Sequence, residues 1–452
     1  MATSARFAIA ALTLFAFVIP SYAAGADKGW FTDANGCKFL APPDGARSVS
    51  VIWDGACVDG FMSGPGTADV DGIIYQGEFK QGQMVNGEVR FGPGSYKGVL
   101  KGNAPGGAGV MRMPDGTVIE ATFEFGDVVG VADVTWSNGA RYHGEVIDYV
   151  TMHGTGKITY ANGTIYEGTL AHGQYHGKGK ETWTDGSEYS GDFVHGNREG
   201  NGLFRSADGS TYEGGWVLGR RQGKGTSHSS DGSHCVADYM VDQIQGQGRC
   251  EYPDGMLLEG EFKAGKLSGQ CKIVYANKAT YAGTCALGEP SGRGRLDNPA
   301  EGSLYEGEFV AGKYQGRGRY TRDGYAYEGE FVGGYASGPG KEVLESGEQY
   351  EGDFARGVRE GNGTLSIAAV SGSDAQYKGA FRQGLMHGQG ELTVGKARFA
   401  GEFKRGVFAK GRIHTEDGRT LDADLETNTF FEVKADGTKV PIDSLRPPEP
   451  QA

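Results

Sequence analysis

A motif of about 23 residues recurs along most of the chain, and it constrains the fold more than any other feature. Counted from an aromatic residue at position 0, glycine stands at +2 in fourteen of sixteen units and an apolar residue at +4 in all sixteen. A Gly-x-Gly pair and an Asp-Gly or Asn-Gly pair follow. Such a period predicts a repeat architecture. The units start at Trp53, Tyr75, Tyr96, Ile119, Tyr142, Tyr166, Tyr189, Tyr212, Cys235, Leu258, Tyr281, Tyr305, Tyr327, Tyr350, Tyr377 and Phe399.

The spacing within the motif predicts a β-hairpin in each unit. Positions 0, +2 and +4 alternate with polar residues, so they share one face of a strand. Pairs such as Asn162-Gly163 and Asp185-Gly186 tolerate the positive φ of tight turns and would return the chain into the next unit. A glycine between two aromatic positions leaves room for rings of neighbouring strands to lie over the bare backbone. Since two strands cannot bury an aromatic face alone, the units must stack into an elongated array.

The units resemble MORN repeats over about residues 53–425. The resemblance rests on several columns at once, which in one unit are Tyr166-Glu167-Gly168, Gly173, Gly177-Lys178-Gly179 and Asp185-Gly186. It implies an all-β fold, an elongated single-layer antiparallel sheet of about sixteen stacked MORN β-hairpin repeats with an aromatic groove. It also implies protein scaffolding, membrane association or, in some members, binding of acidic phospholipid headgroups.

The two ends of the chain differ from the repeats. Arg6 is the only charge before an apolar run from Phe7 to Pro20, and Ser21 and Ala23 are small residues at a cleavage position, as in a secretory signal peptide. The run is shorter than the ~20 apolar residues that span a bilayer. We expect a signal peptide at 1–23, an N-terminal cap strand region at 24–52, the repeat array at 53–425 and a partly disordered C-terminal tail at 426–452. The protein is therefore expected to be exported, to the periplasm or the extracellular space.

The charge of the chain limits its partners. The formal net charge is −13, and removal of Arg6 with the signal peptide makes it more negative still. Affinity for nucleic acid comes mainly from phosphate neutralisation by Lys and Arg. We therefore expect no nucleic acid among the partners, and the same charge opposes binding to anionic lipid.

Six cysteines in an exported chain are expected to form disulfides. Cys271 and Cys285 are symmetric about a turn site at Asn277-Lys278, so they should face each other across a hairpin. Cys37 and Cys57 are likewise symmetric about a predicted turn. Both pairs are therefore predicted to be bridged.

The remaining two cysteines leave an open question. Elimination pairs Cys235 with Cys250, but in regular register Cys250 would oppose Tyr239, which places Cys235 too far away for a disulfide. A metal site is the other option, and no CxxC or close Cys-His spacing supports one.

No catalytic signature accompanies the repeats. The chain lacks G-x-S-x-G, H-E-x-x-H and the kinase signature set, and its glycine-rich stretches lack the Gly-Lys-Ser/Thr ending of a phosphate loop. Acidic residues at +1 and +3 should point away from the aromatic face, where basic residues at +14 lie nearly opposite the next unit's +3. The predicted ion pairs on that solvated face are Lys180–Asp192, Arg249–Glu261, Arg295–Glu308 and Arg319–Glu330. We expect no enzymatic activity, no catalytic residue, no cofactor and no metal.

These observations favour a non-catalytic, exported binding or scaffold protein that acts through an extended aromatic-glycine β surface. Its partner would be a protein or a component of the cell envelope, and the oligomeric state stays unknown. The first alternative is a peripheral membrane or phospholipid-headgroup binder, and the second is a protein that binds or hydrolyses a cell-envelope polymer. The candidate binding residues are Tyr166, Tyr189, Phe193, Tyr212, Trp216, Tyr305, Phe309, Tyr327, Phe331, Tyr350 and Phe354.

Export gives a first testable prediction. Mass spectrometry of the native protein should find a mature chain that begins at or near Ala24, because Ser21-Tyr22-Ala23 ends the segment that resembles a signal peptide. An intact Met1 on protein from a cytosolic fraction would refute this.

Overall fold

The structure is a computed structural model that describes residues 29–40, 50–368 and 374–442. The chain divides after Arg221 into two compact parts, each containing several of the 23-residue repeats; these parts are called the first unit and the second unit. Over the described residues the regular elements are all β-strands, and no helix there is long and apolar enough to cross a membrane. The predicted signal peptide and the last ten residues of the predicted tail lie outside the described residues.

The strands of the first unit are β1 (Trp30–Thr32), β2 (Lys38–Leu40), β3 (Val51–Trp53), β4 (Ala56–Val58), β5 (Phe61–Val70), β6 (Ile73–Lys80), β7 (Gln83–Phe91), β8 (Gly94–Lys101), β9 (Ala104–Arg112), β10 (Val118–Glu124), β11 (Asp127–Thr135), β12 (Arg141–Ile147), β13 (Thr151–Thr159), β14 (Ile165–Ala171), β15 (Gln174–Thr182), β16 (Glu188–Val194), β17 (Asn197–Arg205) and β18 (Thr211–Val217).

Strand β19 (Arg220–His228) contains the division. The other strands of the second unit are β20 (His234–Met240), β21 (Gln243–Glu251), β22 (Leu257–Lys263), β23 (Lys266–Val274), β24 (Thr280–Ala286), β25 (Glu289–Asn298), β26 (Ser303–Val310), β27 (Lys313–Arg322), β28 (Tyr325–Val332), β29 (Tyr335–Val343), β30 (Gln349–Ala355), β31 (Val358–Ile367), β32 (Ala375–Arg382), β33 (Leu385–Val394), β34 (Ala397–Lys404), β35 (Val407–His414), β36 (Thr420–Asp424), β37 (Thr429–Val433) and β38 (Lys439–Pro441).

Consecutive strands pair antiparallel within each unit, so the predicted all-β fold of stacked hairpins is confirmed. In the first unit this pairing runs from β5 to β18. In the second unit it runs from β19 to β38. The start of the first unit is less regular, because β3 and β4 both pair with β5.

Most hairpins close through a two-residue turn in the middle of the motif, at positions +6 and +7, whereas the hairpin at Tyr142 has three residues between Ile147 and Thr151. Val194 and Asn197 pair directly across such a turn, and both intervening residues have positive φ, 48° at His195 and 78° at Gly196. This is the type I′ geometry that matches the twist of the flanking strands. The tightest turn of the motif therefore lies at +6 and +7, and not at the Asp-Gly pair.

The Asp-Gly pair belongs to a three-residue loop between consecutive hairpins. At Asp185-Gly186, only the glycine has positive φ. The Asp185 carboxylate accepts a hydrogen bond from the Ser187 amide at 2.9 Å, and the Trp183 amide donates to the Ser187 carbonyl oxygen at 2.9 Å. In the equivalent loop of the second unit Lys278 occupies the glycine position with a φ of 71°.

This longer loop shifts the register of the outer face by two residues. The predicted ion pairs were therefore wrong, because a basic residue at +14 opposes +1 of the next unit and not +3. Arg319 lies opposite Glu328 and not Glu330, and Lys180 contacts Glu188 at 2.8 Å while Asp192 contacts Lys178 at 2.7 Å. The other observed pairs are Arg249–Glu259 at 3.2 Å and Arg295–Glu306 at 2.6 Å.

The core is built from the position-0 tyrosines, which lie flat on glycine backbone. In the unit at Tyr166, Gly168 and Gly179 face each other across β14 and β15. A Cβ atom on Gly179 would come within 2.4–2.7 Å of the Tyr166 ring, and one on Gly168 within 2.5 Å of the Gly179 Cα. The ring thus covers its own strand as well as the neighbour. The Tyr166 hydroxyl then donates to the Thr169 carbonyl oxygen at 2.7 Å.

The same hydroxyl bond to the carbonyl oxygen three residues later recurs along the array. Ten position-0 tyrosines make it, at 2.5–3.1 Å: Tyr96, Tyr142, Tyr166, Tyr189, Tyr212, Tyr281, Tyr305, Tyr327, Tyr350 and Tyr377. At the head of the array Trp53 does the same through its indole Nε1, which donates to the Ala56 carbonyl oxygen at 3.1 Å. Buried hydroxyls and indole N–H groups need such acceptors.

In the unit at Ile119 the tyrosine and the glycine pair are both absent, whereas the unit at Phe399 keeps the pair as Gly401 and Gly411. Ile119 stands at position 0 of its unit, and Ala121 and Ala132 oppose each other where other units have two glycines. Ile119 and Ala132 are buried. Two methyl groups therefore fill the space that a tyrosine ring occupies elsewhere.

All six cysteines are bridged, so the two predicted disulfides are confirmed and the open pair is settled. Cys235 lies directly opposite Cys250, because the turn of that hairpin lies at Val241-Asp242 and a bulge follows Ala237. The Cα atoms are 4.1 Å apart. The assumed register that set Cys250 against Tyr239 was wrong.

The geometric reason given for the other two bridges was also wrong. Cys271 opposes Gly283 and Cys285 opposes Gly269, so their disulfide runs diagonally with Cα atoms 5.9 Å apart. Cys37 and Cys57 are joined with Cα atoms 5.7 Å apart. The turn predicted between them, at Ala46-Arg47, lies outside the described residues, and Cys57 lies on β4, which pairs with β5 and not with β2. Cys235 and Leu258 are the position-0 residues of consecutive units, and each of these units contributes a disulfide in place of the tyrosine.

The match between tyrosine and glycine yields a prediction about stability. Gly179→Ala should destabilise the first unit by about 2 kcal/mol, because the new methyl group overlaps the Tyr166 ring. The cost should fall below about 1 kcal/mol when Tyr166→Ile is already present, as the unit at Ile119 suggests.

Hydrogen exchange of the β14 and β15 amides measures this locally, which suits a repeat array whose units need not unfold together. Equal costs of Gly179→Ala in both backgrounds would show that the ring does not determine the glycine.

Candidate functional site

The eleven ring residues predicted to bind a partner lie on one face of the sheet, inside the core. Each is at most 5% exposed. Position 0 packs edge-to-face against +4 of its own unit and +4 of the next: Tyr189 lies 5.1 Å from Phe193 and 5.2 Å from Trp216 between ring centroids. A direct contact between these rings and a partner stays a prediction. The set consists of Tyr166, Tyr189, Phe193, Tyr212, Trp216, Tyr305, Phe309, Tyr327, Phe331, Tyr350 and Phe354.

A second layer, which the sequence analysis missed, covers these rings. The two-residue turn places +9 opposite +4 and therefore on the aromatic face, as in the pair of Leu170 and Tyr175. Tyr175 stacks on Tyr166 with ring centroids 3.6 Å apart and planes at 2°. The turn length was the signal that could have revealed this column. Elsewhere the covering residues are Tyr314 over Tyr305 at 3.8 Å, Arg198 over Tyr189 at 5.5 Å, Arg221 over Tyr212 at 5.4 Å and Arg359 over Tyr350 at 5.1 Å.

Four of the half-buried rings on the aromatic face of the first unit are in contact with one another or with Arg198. We call Tyr160, Tyr175, Trp183 and Phe204 the upper rings. The hydroxyl groups of Tyr160 and Tyr175 are hydrogen-bonded at 2.6 Å. Burial, above all, raises the pKa of both phenols. Both therefore stay neutral and present polar oxygens beside the exposed ring surface.

Arg198 occupies a box of aromatic rings on this face. Its guanidinium carbon lies 4.6 Å from the Trp216 ring centroid and 5.5–5.9 Å from those of Trp183, Tyr189 and Phe204. One nitrogen donates to the Gly219 carbonyl oxygen at 2.9 Å. A weakly hydrated guanidinium gains from such contacts, so the box holds Arg198 in place.

The second unit holds an arginine in the same column by a different set of partners. The Arg359 guanidinium contacts Glu342 at 2.6 Å and Glu348 at 2.7 Å. The three side chains are 13%, 12% and 24% exposed. Glu342 stands at +15, so this buried cation is neutralised by carboxylates on the aromatic face and its neighbouring turn.

In the first unit, Glu181 occupies the position that Glu342 occupies in the second unit, but the two glutamates have different surroundings. Both stand at +15, seven repeats apart, and Glu181 lies opposite Tyr166 and Tyr189 on the aromatic face. Burial raises the pKa of Glu181 to about 6, although Arg198 opposes the shift. Among the described residues no hydrogen bond or ion pair within 4 Å satisfies the Glu181 carboxylate. The fold thus holds a partly buried carboxylate beside the upper rings, with no side-chain partner in the described part of the chain.

On the opposite face of the sheet, the described residues form no comparable arrangement. Its cross-strand ion pairs are exposed, as in Lys157–Glu167, where both side chains are about half exposed. Among the residues that the structure describes, no group of three or more His, Cys, Asp or Glu side chains could hold a metal ion.

A family model for the MORN repeat matches twelve segments that together make up more than half of the chain. The chain belongs to the MORN-repeat family. MORN repeats are generally binding or scaffold modules and are typically not catalytic. The segments are 75–95, 96–118, 151–165, 166–188, 189–211, 212–234, 242–257, 259–280, 305–324, 327–349, 350–368 and 377–393.

Other comparisons add little. No curated protein matches the chain. The TCP domain of Drosophila melanogaster SAS-4, solved with a proline-rich motif of Ana2, is 14% identical, and the match covers 34% of this chain and 85% of that domain with a TM-score of 0.23. The TCP10 domain of Danio rerio CPAP, solved with a STIL peptide, is 12% identical over 54% of this chain and 92% of that domain, with a TM-score of 0.20. These TM-scores are too low to carry an argument.

The two glutamates at +15 give a matched prediction about stability. The raised pKa means that folding favours neutral Glu181, so its contribution to stability is present below its ordinary pKa of 4.5 and is lost as the pH rises through about 6. Glu181→Gln should therefore stabilise the first unit at pH 7 by about 1–2 kcal/mol and change little at pH 4. Glu342→Gln should destabilise the second unit at pH 7, because Arg359 loses a buried partner.

Hydrogen exchange of β15 and β16 for Glu181, and of β29 and β30 for Glu342, reports each effect separately. If both variants shift stability in the same direction at pH 7, the contrast between the two sites is wrong.

Proposed function

We propose that this chain is an exported, non-catalytic binding or scaffold protein whose partner lies on the aromatic face of the first unit. The observation that carries the proposal is the set of upper rings, which are partly exposed above the buried core rings. Rigid aromatic side chains contribute much contact area at a low entropic cost. Such a surface suits a protein partner or a component of the cell envelope.

Burial separates the residues of this face into those that support the surface and those that a partner can contact. The eleven core rings, none more than 5% exposed, fix the positions of the groups above them. The upper rings and Glu181 are the parts that a partner would contact. Exposed ion pairs on the opposite face contribute little energy individually, so we place the partner on the aromatic side.

Export is supported by two independent features. The first 23 residues resemble a signal peptide, and three disulfides join all six cysteines. Disulfides persist in oxidising compartments. A phospholipid surface is the less favoured partner, since the net charge of −13 opposes anionic headgroups.

The proposal predicts that the upper rings determine binding. Trp183→Ala with Phe204→Ala should reduce the proteins retained from a native envelope extract at least tenfold, because both variants remove half-exposed contact area. The matched control, Lys180→Ala with Arg205→Ala, alters the opposite face of β15 and β17 and should retain these proteins normally. Quantitative mass spectrometry of the retained proteins gives the comparison, with circular dichroism to confirm folding.

Two parallel measurements separate the alternatives. Anionic phosphatidylglycerol vesicles and purified peptidoglycan are sedimented with each variant. Loss of binding in the control pair only, or equal retention by both pairs, would refute the choice of face. A third outcome would change the identity of the partner. If no envelope protein is retained, and the chain sediments with vesicles or peptidoglycan unless the upper rings are replaced, the partner is lipid or cell-wall polymer and not a protein.

A further inference from the structure

Each of the two compact units contains a glutamate at +15 of one repeat and an arginine at +9 of the next repeat. Glu342 is followed by Arg359 in the second unit, and Glu181 is followed by Arg198 in the first. Each glutamate lies directly opposite the next position-0 tyrosine, Tyr350 or Tyr189. Each arginine lies over that same tyrosine ring. The backbone therefore offers both pairs the same opportunity to form an ion pair.

Only the second unit uses it. Arg359 donates to Glu342 through its Nε at 2.6 Å, and Glu348 is its second partner. In the first unit the residue in the column of Glu348 is Ser187, which instead contacts Asp185. One of the two carboxylates that hold Arg359 has thus no equivalent beside Arg198.

The surrounding rings explain where Arg198 goes instead. The columns of Leu344, Leu365 and Phe381 in the second unit carry Trp183, Phe204 and Trp216 in the first. With Tyr189 these three rings surround the Arg198 guanidinium, the nearest at 4.6 Å. The aromatic substitutions therefore draw the arginine into its box and leave the Glu181 carboxylate without the bond that Glu342 has.

The groups that face the Glu181 carboxylate suit a cation. Tyr166 lies directly opposite Glu181, Tyr175 stacks on Tyr166 with ring centroids 3.6 Å apart, and the hydroxyl of Tyr160 is hydrogen-bonded to that of Tyr175. Neutral phenol oxygens can accept hydrogen bonds, and an adjacent indole such as that of Trp183 attracts a cation through its ring face. Arg359 on Glu342 shows within this chain that a guanidinium is accommodated at such a carboxylate.

We propose that Glu181, with Tyr160, Tyr175 and Trp183, forms a site for a lysine or arginine side chain of a protein partner. The inference rests on the proposed function, because it names the partner group that the aromatic face receives. The net charge of −13 favours approach of a basic segment. An incoming cation gives the carboxylate the ion pair that the fold withholds.

The test uses four fluorescein-labelled hexapeptides in which glycine alternates with lysine, arginine, norleucine or glutamate. Binding to the full-length mature protein is measured by fluorescence anisotropy at physiological ionic strength. The lysine and arginine peptides should bind, and Glu181→Gln should weaken them at least tenfold. Glu167→Gln removes the same charge from the opposite face of the adjacent strand and should weaken them less than twofold.

Each outcome decides a separate point. Equal loss in Glu181→Gln and Glu167→Gln would mean general attraction to an acidic surface and would overturn the site, as would equal binding of the norleucine peptide. If Trp183→Ala weakens the basic peptides while Glu181→Gln does not, the aromatic face binds partners but the carboxylate site is wrong. If neither variant changes peptide binding, and the upper-ring variants also retain envelope proteins normally, both proposals fail.

Discussion

The packing of one tyrosine ring against two opposed glycines is the interaction on which the remainder of the fold depends. A strand pair has no layer behind it, so its apolar residues must be covered by side chains from the same sheet. Tyr166 achieves this by lying along its own strand over Gly168 and Gly179, with its hydroxyl bonded to the Thr169 carbonyl oxygen. The ring buries its apolar surface and satisfies its polar atom within a single unit. The neighbouring repeat then contributes its ring at +4, which packs edge-to-face against the tyrosine, as Trp216 does against Tyr189.

This arrangement explains why the motif tolerates some substitutions and not others. Ile119 is accompanied by Ala121 and Ala132, so the space is filled in a different way and the strands keep their spacing. Cys235 and Cys271 occupy positions where other units carry the tyrosine or one of its glycines, and a disulfide links each of them to the neighbouring strand. A protein interior is close-packed, and in the repeats at Ile119, Cys235 and Leu258 position 0 and a glycine of the pair change together, whereas the repeat at Phe399 keeps both glycines.

The sequence was sufficient for the fold class, the unit starts and the identity of the core, because glycine and tyrosine recur in fixed columns. It was insufficient for the register between units. The Asp-Gly pair suggested a two-residue turn, whereas Asp185 lies at the centre of a three-residue loop that its carboxylate stabilises. Because the register was wrong, the predicted partners of the basic residues stood two positions from the observed ones, for example Glu330 instead of Glu328 opposite Arg319. Position +9 was missed for a related reason, since its residues vary from tyrosine to arginine and reveal their face only once the +6 and +7 turn is known.

A repeat array separates the residues that build the face from those that can vary upon it. Glu181 and Glu342 occupy one column, and Arg198 and Arg359 another, yet Ser187 and Glu348 differ beside them. In the second unit the charges neutralise one another inside the core. In the first, three aromatic replacements hold the arginine and leave a carboxylate whose burial raises its pKa to about 6. An ion pair such as Glu342–Arg359 would stabilise the chain in both places, because an opposite charge favours the charged form of a partly buried carboxylate. In the proposed site, that partner for Glu181 is a lysine or arginine side chain of another protein.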